Sequence, residues 1–232
     1  MTTDKRPDSL SWFEILTVTL IMFGPGIWIS SAFYLEAPSA VDGTAANFSS
    51  QQNVWAGVFQ SLQLLTVFFF LYLREWRFSN FRFRPSVADT IKGLGLFVFT
   101  ALLVDIGFST ALLWMPDVVG TDEQVLIDPL ARIHPSLVFY SMLNGFYEEF
   151  FFLTLVSAAA KRNAVFLFSL FVRFSFHTYQ GLLTAVLIGL ILGVVNYYFF
   201  TKAKDNNLYP FFFAHALADV FGLSLLGYFA LE

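Results

Sequence analysis

The stretch NGFYEEFFFL, Asn144 to Leu153, sets two adjacent carboxylates, Glu148 and Glu149, inside a long apolar run with aromatics on both sides. A carboxylate placed in hydrocarbon costs about 2.5–3.5 kcal/mol on insertion scales. Two in succession point to a chemical task. Whether the surroundings really are hydrocarbon depends on the rest of the chain.

The 232 residues are 57% hydrophobic, 19% aromatic and only 13% charged, with 31 Phe. That composition excludes disorder and disfavours an ordinary soluble domain. Repeated apolar runs of about 18 residues or more predict an all-α, polytopic transmembrane helical bundle. Seven spans are expected, at Leu10 to Leu35, Val54 to Leu73, Gly93 to Met115, Pro135 to Ala160, Ala164 to Tyr179, Leu182 to Phe200 and Leu208 to Leu231. The first is too long for a signal-peptide core, and Gly24-Pro25-Gly26 should kink it. Gln60 and Gln63 share a face of the second, as interhelical hydrogen-bonding groups do. With no Cys, disulfides, thiolate catalysis and Cys-ligated metal are excluded. The net charge of −4 is modest and indicates no nucleic-acid partner.

Lys and Arg alternate between loops. They occur at Lys5 and Arg6, at Arg74 to Lys92, at Lys161-Arg162 and at Lys202 to Lys204. The intervening loops carry almost none, and the one from Pro116 to His134 is acidic. The positive-inside rule then puts the N-terminus in the cytoplasm, with anionic lipid beside the basic loops. A bacterial cytoplasmic membrane is the expected location. Residues 1–134 form an N-terminal three-span region and 135–232 a four-span core, in one integrated membrane domain.

The ionisable residues inside spans are Asp105, Glu148, Glu149, Arg173, His177, His215 and Asp219. Spans four and five form a hairpin turning at 162–163. Glu148 and His177 both lie 14 to 15 residues from that turn, roughly 20 Å deep at 1.5 Å per residue. His215 and Asp219 share a face of the seventh span at i,i+4 and reach a comparable depth. A lone intramembrane His is commonly a hydrogen-bonded interior residue, and Asp105 reads as a structural or pore-lining group. The combination is what indicates a site: two Glu, two of only three His and one Asp at matching depth on three helices. His134, at a span edge, is incidental.

Such a set suits peptide hydrolysis. Glu148 with His177 would hold and deprotonate a water, and His215 with Asp219 would polarise the scissile carbonyl. No cofactor is needed on that scheme. A divalent metal such as zinc, held by Glu148, His177 and His215, stays open, although no His-Glu-x-x-His signature is present.

At these residues the chain resembles the CPBP family, the CAAX-protease and bacteriocin-processing intramembrane peptidases also called Abi proteins. Its motifs are EExxxR, FxxxH and HxxxN/D. Glu148-Glu149 is similar to the first, His177 within FSFHTYQG to the second, and His215-Ala216-Leu217-Ala218-Asp219 to the third. The resemblance spans about Pro135 to Leu231. It implies a Glu-centred site in which the first Glu and the motif-two His activate water and the motif-three pair serves the oxyanion. It also implies a membrane-associated peptide or protein as substrate.

Two positions depart from the pattern. Leu153 stands where motif one has Arg, and Arg173 where motif two has Phe. Both lie about ten residues from the hairpin turn, so the cation is expected to have crossed to the facing helix, where Arg173 would support Glu149. Two further functions remain open from sequence: a non-catalytic immunity or binding protein on the same fold, and a proton-coupled transporter.

Overall fold

The computed structural model describes residues 9–36, 49–114 and 133–226, the side chain of Asn80 excepted. All the regular elements among them are helical. In chain order they are α1 (Trp12–Glu36), α2 (Ser50–Leu73), α3 (Val87–Trp114), α4 (Pro135–Glu149), α5 (Arg162–His177), α6 (Leu182–Lys202) and α7 (Tyr209–Phe221). The acidic stretch 116–132 and the N-terminal Lys5 and Arg6 lie outside the described residues.

α1, α2, α3 and α6 are long and apolar enough to cross a membrane. They turn Phe13, Leu20, Trp28, Trp55, Phe69, Leu113 and Trp114 outward, each more than half exposed. A soluble fold does not leave so much large apolar surface uncovered. α4 packs on α2 and α7, α5 on α1 and α6, and α3 on α7. Each of the seven expected segments contains a helix, but among the described residues only four helices qualify as spans by length and composition. The helices bearing Glu148, Glu149, Arg173, His177, His215 and Asp219 are shorter and lean on their neighbours.

Local sequence sets the helix ends. Ser49 and Gln52 form a reciprocal capping box that starts α2. His134 caps α4 through Nδ1, which accepts from Leu137 N, and Pro135 occupies the first turn. His134 therefore has a structural task.

α1 runs unbroken through Pro25. Proline has no N–H to give the Ile21 carbonyl. Gln63 Nε2 replaces it, donating to Ile21 O at 2.6 Å and to Met22 O at 3.0 Å, and the Tyr147 hydroxyl also donates to Met22 O. The expected kink is absorbed as an interhelical contact.

α7 is the main departure from expectation. It ends at Phe221, not Leu231, because Gly222 takes φ = +83° and its N–H closes the helix on Ala218 O. The following turn is held by Asp105 on α3, whose Oδ2 accepts from Leu225 N and Leu226 N at 2.8 and 3.0 Å. Asp105 is an anchor for that turn.

The basic segment after α2 is tied to the bundle. Phe81 and Phe83 pack edge-on against Phe146, and Arg82 donates to Asp205 O. Asn207 brackets Arg84 through both its backbone N–H and C=O. At the same end Leu10 pairs its backbone with Ala158 and Ala160, fastening the chain before α1 to the α4–α5 turn.

Candidate active site

Directly after Glu149 the backbone widens into a π-helical segment, Phe150–Leu155. Such bulges are frequent at functional sites. Glu148 and Glu149 sit at this transition, both buried. They point to different partners, as residues about 100° apart on a helix should.

Glu149 is the fully enclosed member. Its Oε1 accepts from Arg173 Nη2 at 2.5 Å and from His215 Nδ1 at 2.8 Å. Arg173, buried on α5, lies with its guanidinium carbon 4.8 Å from the Phe152 ring centre. The same Nη2 is 3.7 Å from Glu148 Oε2, so one guanidinium faces both carboxylates. The cation missing at Leu153 is thus supplied from the opposite side of the α4–α5 hairpin. Arg173 Nε and Nη1 have no hydrogen-bond partner.

Glu148 faces α7. Its Oε1 accepts from Asn144 Nδ2 at 3.1 Å and lies 3.7 Å from His215 Nε2. The same Asn144 amide donates to Asp219 Oδ2 at 2.9 Å, and Asn144 Oδ1 accepts from Gln60 Nε2 at 2.7 Å. Asp219 Oδ1 is 3.6 Å from His215 Nε2. His215 therefore binds Glu149 through one nitrogen and turns the other toward Glu148 and Asp219.

Asn144 was quoted in the sequence without a role. Its position four residues before Glu148, on the same helix face, was the available signal. Gly145 explains the closeness of α4 and α7: a Cβ there would stand 3.0 Å from Phe212 O and 3.1 Å from Ala216 N.

His177 ends α5. Its Nδ1 donates to Arg173 O at 2.7 Å, which leaves Nε2 with the free lone pair. The turn that follows is docked on α1, where Ser30 Oγ accepts from Tyr179 N at 2.8 Å and pairs with Thr178 Oγ1 at 3.0 Å. His177 shares the buried layer but has no hydrogen bond to Glu148 among those found.

Among the described residues no group of three His, Cys, Asp or Glu is placed to hold a metal ion. The Arg173 guanidinium already stands beside the carboxylates where a cation would gather.

Comparison with curated proteins and with solved structures found no match. Residues 131–221, which hold all of α4, α5, α6 and α7, match the family model described as type II CAAX prenyl endopeptidase Rce1-like. Over that stretch the chain is similar to the Rce1-like CAAX prenyl endopeptidases.

Proposed function

We propose that the protein is an intramembrane endopeptidase in which Glu148 activates water against a peptide bond. The observation that carries this is the separation of the two carboxylates. Glu149 is held by Arg173 and His215, while Glu148 Oε2 has no hydrogen-bond partner and Oε1 faces His215 Nε2 at 3.7 Å. A water at hydrogen-bond distance, about 2.8 Å, from both Glu148 Oε1 and His215 Nε2 completes a triangle on that edge.

Glu148 accepts one proton from this water as its oxygen attacks the scissile carbonyl carbon. The His177 Nε2 lone pair is available to hold the water's second hydrogen. The developing oxyanion takes a hydrogen bond from His215 Nε2–H when the ring is protonated. Asp219, tied by Asn144, acts through His215. The C–N bond then breaks, and Glu148 returns its proton to the leaving amine. No step requires a metal.

The substrate is a peptide or protein at the membrane. The test is cleavage of a candidate substrate in membranes containing Glu148→Ala or His177→Ala protein. Loss of cleavage in both is expected, and normal cleavage by both would refute the proposal. A binding or immunity protein on the same fold would leave the cellular phenotype of the two variants at the wild-type level.

A further inference from the structure

The geometry points to a site that opens at the non-cytoplasmic end of the bundle, so that its substrates are peptide segments presented at the outer boundary of the bilayer. This rests on the peptidase reading and adds the side from which the peptide comes.

The first observation is a seal. On one side of the Glu148–Glu149 layer, Phe150, Phe151, Phe152, Leu153, Leu155 and Val156 are each at most 3% exposed. Phe68 packs tilted against Phe150 from α2, and Trp76 and Phe81 pack edge-on against it from the basic segment behind. Among the described residues, the interior at this end is packed aromatic.

The second is a gradient in the other direction. Side-chain exposure rises from 0% at Glu149 and 4% at Glu148 to 12% at His215 and 26% at Asp219. The three site helices agree. Toward this end Glu148 is followed by Asn144 and Tyr140 on α4, His215 by Asp219 on α7, and Arg173 by His177 and Tyr179 on α5. Asn144, Tyr140, Asp219 and Tyr179 are all partly exposed. Tyr140 lies near Gln60, Asp219 and Tyr179, which makes the approach polar. A peptide and a water can enter along it.

The third is charge. Among the described residues, Arg74, Arg77, Arg82, Arg84, Lys92, Lys161, Arg162, Lys202 and Lys204 stand at the sealed end, Arg173 is interior, and no Lys or Arg stands at the polar end. Basic loops stay in the cytoplasm. The exposed Trp28, Trp55 and Trp114 sit toward the opposite end, where an interfacial aromatic belt is expected. The sealed end is therefore cytoplasmic and the polar approach external.

The absence of Cys makes this directly testable. Single variants Gln51→Cys at the polar end, Lys204→Cys at the sealed end and Asp219→Cys in the site are expressed in cells and treated with a membrane-impermeant maleimide. Labelling is compared before and after permeabilisation. Gln51→Cys and Asp219→Cys are expected to label in intact cells, several-fold ahead of Lys204→Cys. Equal labelling, or labelling of Lys204→Cys first, overturns the inference. The readout needs no peptidase activity, so failure of the catalytic reading, seen as cleavage by Glu148→Ala, is a separate result.

Discussion

Replacing Arg173 with Met removes a guanidinium that is 3% exposed and 2.5 Å from a carboxylate that is 0% exposed. Breaking one partner of a buried pair leaves an uncompensated charge and typically costs about 3–5 kcal/mol. His215 Nδ1, 2.8 Å from the same Glu149 oxygen, retains part of the compensation, so the lower half of that range is expected. Glu149→Gln alone leaves Arg173 with Glu148 at 3.7 Å and costs less. The double variant Arg173→Met/Glu149→Gln removes both charges of the 2.5 Å pair together and should recover at least about 1 kcal/mol of the summed single losses, within the range of coupling for contacting residues. The assay is denaturant unfolding of the four proteins in detergent micelles. If the losses add to within about 0.5 kcal/mol, the pair carries no coupling and the account of Glu149 is wrong.

Three other outcomes follow from the same contacts. Leu153→Arg combined with Arg173→Phe should retain cleavage that Arg173→Phe alone abolishes; a double variant as inactive as the single one shows that the cation cannot be moved back across the hairpin. Asn144→Ala removes one amide from both Glu148 and Asp219. At about 1.5–3 kcal/mol for a hydrogen bond to a charged group, it should lower cleavage about 10- to 150-fold in a rate measurement, with wild-type expression. Gly145→Ala should destabilise by about 1–3 kcal/mol, read as an earlier unfolding midpoint, because its Cβ meets backbone at 3.0 Å and α4 must part from α7.

What the sequence disclosed has a physical pattern. The Lys161-Arg162 turn fixes the register of the α4–α5 hairpin, so depth arithmetic brought Arg173 within a turn of Glu149, and their contact is present. Gln60 and Gln63 could be read as interhelical donors because an amide in an apolar helix needs a partner. Their partners, Asn144 and the Ile21 carbonyl, could not, since each is set by packing between helices far apart in sequence. The end of α7 was missed because Leu223, Leu225 and Leu226 continue the apolar run; only Gly222, a usual helix terminator, marked it. The depth argument placed Glu148 level with His177, yet level residues need not touch. Side-chain direction gave Glu148 to Asn144 and His215 instead. Asp105 could be read only as a structural or pore-lining group, because its partners, two backbone N–H groups beyond α7, depend on the turn at Gly222.

The most direct measurement is cleavage by purified protein in proteoliposomes, wild type against Glu148→Gln, each after treatment with a strong chelator. The Gln side chain keeps the size and hydrogen-bonding reach of Glu148 but cannot take a proton from water. The account predicts full activity for the chelated wild type and a loss of at least about 100-fold for Glu148→Gln, the lower range for removing an acid–base group. Cleavage by Glu148→Gln at the wild-type rate, or its disappearance from the wild type on chelation, would contradict it.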